Sequence, residues 1–241
     1  MQDHSENTKR IAKNTLMLYG RMLFSMVVSL YTSRVILNTL GVVDYGIYGV
    51  VGGFVAMFSL ISSSLSSAVS RFLTFELGRG DKERLNKAFS TSLLIHIVLA
   101  IVVFIVAETV GIWFVNNKMT IPSDRLYAAN WVFQASILSF MFGLFSVPYN
   151  ASIVSHERMS AFAYIGILDT TLRLCVVLFI AYSSWKFDKL IVYSMLLVAV
   201  SISLQCIYLI YCRKHFEECR LKISFDKEFW KEISAFSLWN F

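Results

Sequence analysis

The sequence predicts an all-α, polytopic membrane protein, and three observations carry that reading. Of 241 residues, 56% are apolar and only 16% charged, whereas a soluble domain carries about a quarter charged residues. Six apolar runs recur, each close to the ~20 residues that a helix needs to cross a ~30 Å hydrocarbon core. The 22 lysines and arginines fall in short blocks between those runs. The net charge of +6 is therefore a positive-inside signature, not a nucleic-acid patch. A mean hydropathy of +0.62 agrees. In lipid the backbone must satisfy its own hydrogen bonds, so each run is expected to be a helix.

Residues 1–14 form a polar N-terminal segment, expected to be cytosolic, without the cleavage site of a signal peptide. The six-helix lobe is expected over 15–212. The first span covers 15–40 and carries Arg21 and Arg34. The second starts near Asp44 and crosses by about Ser62; as one helix to Leu77 it would reach ~50 Å, so its serine-rich end is expected to bend. The third covers 90–115, the fourth 126–147, stopping at Pro148, the fifth 161–182 and the sixth 190–212. A polar linker over 213–232 follows, and residues 233–241, ISAFSLWNF, read as the start of a truncated seventh helix. A surface-lying amphipathic helix is the other reading of that end. With a cytosolic N-terminus, 15 basic residues fall inside, four outside (Lys118, Arg125, Lys186, Lys189) and three within spans (Arg21, Arg34, Arg173). That asymmetry places both ends in the cytosol. Four cysteines without metal spacing are expected to be reduced thiols.

The stretch from 40 to 81 is the most distinctive. Asp44 is the only acidic residue among the 68 positions from Thr8 to Phe75, and it opens an apolar run studded with glycines and serines. Gly49 and Gly53 form a small-xxx-small pair, expected to mark helix contact within the lobe. The segments DYGIYGVVGG and SRFLTFELGRGD, within LGVVDYGIYGVVGGFVAMFSLISSSLSSAVSRFLTFELGRGD, resemble bacterial polysaccharide-biosynthesis membrane proteins, the O-antigen type flippases of lipid-linked oligosaccharides. These belong to the multidrug, oligosaccharidyl-lipid and polysaccharide exporter superfamily. The resemblance is strongest over residues 15–90. It implies a two-lobe transporter of about twelve or more helices, of which this chain is the N-terminal lobe. It also implies alternating access, a substrate of undecaprenyl-diphosphate-linked oligosaccharide, contact with membrane lipids and with a C-terminal lobe beyond Phe241, and residence in the bacterial inner membrane. No cofactor and no nucleic acid are called for.

Polar residues at bilayer depth are the candidate site, because a charge there is costly and faces a bundle interior or water. Asp169 and Arg173 are four apart, hence on one helix face and ~6 Å apart along it. They read as a switchable pair lining a transport cavity, with Arg173 gripping a diphosphate two-pronged, or as a static ion pair joining helices. Arg34 is the second cavity candidate, paired with Asp44 across the turn, or an outer-surface anchor. Arg21 lies ~20 Å below it, close enough to the cytosolic surface to snorkel. Glu108, one to two turns below the outer end of the third span, is the candidate coupling-ion site, or a shallow glutamate that reaches the headgroups. His96 reads as interfacial, and Asn130, Gln134 and Gln205 as interhelical hydrogen-bond partners.

Phosphate-binding glycine loops, nucleophile–base pairs and metal spacings are lacking in the sequence, so no enzyme is expected. The leading reading is a flippase; a proton- or sodium-coupled multidrug antiporter of the same superfamily is the alternative, and it would lean on acidic sites. Three basic against two acidic intramembrane residues (Glu108, Asp169) favour the flippase. Reporter fusions at Lys82 and Lys118 should report opposite sides of the membrane; the same side for both would end this topology.

Overall fold

The computed structural model describes residues 2–183, 187–220 and 229–231. Every regular element among them is helical: α1 (Gln2–Ala56), α2 (Ser59–Arg79), α3 (Lys82–Val106), one π turn (Ala107–Gly111), α4 (Ile112–Asn117), α5 (Leu126–Ser155), α6 (Met159–Tyr182) and α7 (Lys189–His215). Five stretches are long and apolar enough to cross a membrane, against the six expected: Ala12–Ala56, Lys82–Asn117, Leu126–Ser155, Met159–Tyr182 and Lys189–His215. The expected seventh helix, 233–241, lies outside the described residues, as do 221–228 and 232 of the linker.

The difference in number arises at Gly41. The first stretch has 45 residues, ~68 Å of helix, over twice the thickness of a hydrocarbon core. Gly41 interrupts it with φ 83° and ψ 170°, a conformation that a side chain would strain. Before Gly41 the chain runs beside α6: Ser25 meets Thr170, and Ile36 packs with Val177 and Ile180. After it the chain runs beside α5: Val51 joins the cluster of Ala129 and Phe133, the Phe58 ring lies 6.2 Å from that of Phe140, and Thr74 bonds Ser155. The two arms of α1 therefore run in opposite directions. The second arm breaks again at Met57 and Phe58 before α2, which is the expected bend.

Other boundaries follow from local chemistry. Gly80, at φ 73°, closes α2, and the Asp81 carboxylate accepts the Glu83 and Arg84 amides at 3.1 and 3.0 Å to cap α3. α3 starts at Lys82 rather than near Ser90, and His96, expected to be interfacial, is fully buried; its Nδ1 sits 2.8 Å from the Ser92 carbonyl. Pro148 does not stop α5, which continues to Ser155. Neighbouring helices hold a proline-interrupted helix together in a membrane bundle, and Pro148, Tyr149, Ala151 and Ser152 are all buried. Gly49 and Gly53 make no helix contact within the lobe: a Cβ at either would meet nothing within 4 Å. Their face is turned outward, because Ile47, Val51 and Val55 occupy the buried side of the same arm.

Lipid tails are as apolar as leucine, so close packing and interhelical hydrogen bonds, not water exclusion, hold such helices together. Asn116 and Asn130 exchange side-chain bonds of 3.1 and 3.0 Å, and Ser146 donates to Gln205. Asn130 and Gln205 thus make the expected contacts. Packing concentrates at two ends. The His156 end holds Leu73, Phe89, Tyr149, Ile153, Leu204 and Cys212; the Asp44 end holds Ile47, Ala129, Phe133 and Leu190.

The Asp44 end is closed by one arginine. Arg125, just before α5, bonds both Asp44 of α1 and Asp188, the N-cap of α7. Partial burial works against the Asp188 charge, but hydrogen bonds from Arg125 and the Leu190 amide outweigh it, so its carboxyl is held below the usual range. A lowered value means stabilisation that is complete above the ordinary Asp value of about 3.9 and lost as pH falls through the folded one. In detergent, the thermal midpoint should fall on acidification below about pH 4. Asp188→Asn should lower the neutral-pH stability by about 1–2 kcal/mol and flatten that acid slope; an unchanged slope would remove the triad from the stability of this end.

Candidate functional site

Three of the charged residues expected at bilayer depth, Arg21, Asp169 and Arg173, lie along one seam, where the first arm of α1, α6 and α7 meet. Its lowest member, nearest the His156 end, is Arg21. Its guanidinium carbon lies 4.2 Å from the centre of the Phe162 ring. A Cβ on Gly166 would stand 2.8 Å from Arg21 Cδ and 2.9 Å from a guanidinium nitrogen. Gly166 is thus the notch that lets the arginine lie against α6 instead of reaching for the surface. Beside it, a cavity of about 560 Å³ is lined by Thr15, Leu18, Tyr19, Met22 and Ser25 with Arg21 and Phe162. The lining is apolar and aromatic with a cation at one edge, the shape of a site for an amphiphile.

One turn further, Ser25 and Thr170 hydroxyls are 3.0 Å apart across the α1–α6 contact. Next comes Asp169, whose Oδ1 accepts Arg173 Nε at 2.7 Å, with 45% of the arginine side chain and 35% of the aspartate exposed. Both members lie on α6, and among the described residues their ion pair is with each other. Tyr208 of α7 is within electrostatic reach of both Asp169 and Arg21, and Tyr193 within reach of Arg173. Two guanidiniums and one carboxylate are therefore strung along the seam, with the middle carboxylate committed to the upper arginine. Such a string can hold an anion at either cation, and a competing anion can displace Asp169 from Arg173.

Arg34 is not part of this string. It is exposed, and the expected Arg34–Asp44 pair does not form, because Arg125 holds Asp44. The thirteen steps from Arg21 to Arg34 turn a helix by about 220°, so one arginine on α6 puts the other on a different face. Glu108 is also apart: it is half-buried in the π turn, and that element packs on α5, where a Cβ on Gly111 would fall 2.4 Å from Phe133. π turns often sit at functional positions, but here the turn does not bring Glu108 to the Asp169–Arg173 pair. Among the described residues no three His, Cys, Asp or Glu side chains are grouped to hold a metal ion. Sequence reasoning missed Arg21 as a seam residue, and Gly166 with Phe162 on the facing helix was the available signal: a gap and a ring one turn apart.

The comparisons with known proteins point one way. Residues 9–241 match the family described as Polysaccharide biosynthesis protein. Over 104 residues the chain is 27% identical to a Bacillus subtilis (strain 168) protein called "Uncharacterized membrane protein EpsK", a match covering 43% of this chain and 20% of that protein. The chain thus spans well under two thirds of that relative. No solved structure matches.

The seam can be checked by cross-linking. With the four native cysteines replaced, Ser25→Cys with Thr170→Cys should form a disulfide rapidly on mild oxidation. Arg34→Cys with Asp44→Cys should not. The reverse pattern would break the assignment of α1 to α6.

Proposed function

Because the chain belongs to the polysaccharide biosynthesis protein family, we propose that it forms one lobe of a flippase that carries undecaprenyl-diphosphate-linked oligosaccharide across the bacterial inner membrane. The observation that carries this reading is the string of Arg21, Asp169 and Arg173 along one seam. A diphosphate is a doubly charged, multi-oxygen acceptor, and guanidinium matches it better than ammonium does, because its planar fork donates two parallel bonds. The cavity beside Arg21 offers the lipid part an apolar wall at the same level. In the mechanism, the diphosphate meets Arg21 first and then competes with Asp169 for Arg173. Each step exchanges one charge-assisted bond for another, so the headgroup advances without a bare charge in lipid.

The N-terminus is cytosolic in this reading, and the His156 end faces the cytosol. A partner lobe supplies the other wall of the path, as transporters built from repeats place their sites between repeats. The antiporter alternative rests on Glu108, half-buried in its π turn, as a proton or sodium site. Under that alternative Glu108→Gln abolishes transport and Arg173→Ala does not.

For the flippase, Arg173→Ala in the full-length protein should leave membrane abundance unchanged and lower lipid-linked oligosaccharide export at least tenfold. Arg173→Lys should recover part of it. Complementation read beside membrane protein levels checks both. If Asp169→Ala combined with Arg173→Ala restores full export, the arginine does not bind substrate.

A further inference from the structure

Arg21 is a cation at bilayer depth without a carboxylate of its own. Its guanidinium makes a ring contact with Phe162 rather than an ion pair, and Asp169, one turn beyond Gly166 on α6, is bonded to Arg173. A charge in that position is costly unless something neutralises it. The packing nonetheless holds it in place: Gly166 makes room for the arginine chain, and the cavity of about 560 Å³ adjoins it. Such a seat suits an anion supplied from outside the bundle.

The depth of the seat selects the anion. Ser160 Oγ lies 3.2 Å from Met17 Sδ, and Ser25 meets Thr170, so the first arm of α1 and α6 run side by side in the same direction. Phe162 is therefore one turn nearer the His156 end than Gly166. The guanidinium over its ring has leaned back toward the N-terminus of α1, as helical side chains do, to the level of Met17 and Leu18. That level is ~6–8 Å beyond Lys13, the last of the basic residues that open the chain and mark its water side. Headgroup layers are about 5–8 Å thick on each side of the hydrocarbon core, so the guanidinium stands where lipid phosphates meet hydrocarbon. The cavity walls are ordered the same way. Thr15 lies on the headgroup side of Arg21 and Met22 on the hydrocarbon side, and Tyr19 and Met22 are exposed.

We propose that this seat binds one anionic phospholipid of the phosphatidylglycerol class, from the leaflet nearest the N-terminus. The guanidinium fork takes the phosphodiester oxygens, the headgroup hydroxyls face Thr15, and the acyl chains run along Met22. A zwitterionic headgroup fits less well, because it brings a second cation between Arg21 and Lys13. Free phosphate gains nothing from the apolar wall. The lipid is a resident of the seat, and its binding does not depend on what the protein transports. In the flippase reading an incoming diphosphate displaces it from Arg21; that exchange alone rests on the function proposed above.

Native mass spectrometry of the full-length protein, stripped in detergent and titrated with phosphatidylglycerol or phosphatidylcholine of the same chains, reads the site directly. The unaltered protein should hold one phosphatidylglycerol at least tenfold more tightly than phosphatidylcholine. Arg21→Gln should remove that preference, and Arg21→Lys should keep part of it. Gly166→Ala should remove it as well although the arginine is kept. The new methyl would stand 2.8 Å from Arg21 Cδ, and only that flexible side chain has to move, so the fold is spared. Arg34→Gln, at an exposed arginine on another face of α1, should leave the preference unchanged. No preference in the unaltered protein, full preference in Gly166→Ala, or equal loss in Arg34→Gln would each overturn the site. Displacement of the lipid by an equal concentration of inorganic phosphate would overturn the phospholipid as its occupant. Export is not read in these titrations, so failure of the flippase reading leaves their outcome untouched.

Discussion

Hydrocarbon offers no partner to a free amide or a free charge, and this constraint shapes every part of the bundle. It makes each crossing a helix and forbids a 45-residue apolar helix from running on straight. The chain must turn back, and the turn needs both a residue able to take a non-helical conformation and an anchor. Gly41 supplies the first. Arg125 supplies the second, by holding Asp44 one turn later together with Asp188 at the head of α7. One guanidinium thereby sets the relative positions of α1, α5 and α7. The helices below it then have little choice of neighbour: the first arm of α1 lies on α6 and the second on α5.

The same constraint explains where polar groups collect. At the seam, Arg21 is tolerated because Gly166 and Phe162 receive it, and Asp169 because Arg173 neutralises it within a single helix. Arg21 makes a ring contact rather than an ion pair, and the Asp169–Arg173 bond lies within one helix, so neither spans three elements as the Asp44–Arg125–Asp188 cluster does. At the His156 end the carboxylates of Glu76 and Glu218 are buried, and their partners Arg84 and His156 lie against the Phe229 and Phe216 rings. Three groupings thus differ in kind: one fixes the bundle, one lies open along it, and one is packed into the His156 end.

Much of the fold was legible in the sequence because composition and apolar run length report directly on the solvent. The helical class, the membrane location, the ends of the fifth and sixth expected spans, the bend in the serine-rich segment and the i,i+4 geometry of Asp169 with Arg173 all follow from local chemistry. What each polar residue meets does not, since that depends on which helices become neighbours. Asp44 had two basic residues within plausible reach, Arg34 near it in sequence and Arg125 some eighty positions away; only the packing of α1 beside α5 chose the second. Arg21 looked close enough to the surface to escape, but a notch on α6 captured it. His96 looked interfacial, yet its side chain is buried among the helices. Gly49 and Gly53 carried a motif for helix contact, yet the buried side of their arm was taken by Ile47, Val51 and Val55. The sequence by itself determined that this chain lives in a membrane as helices and which residues carry charge there. Tertiary structure alone decided their partners, because a pairing between distant residues is a property of the interface that brings two helices together.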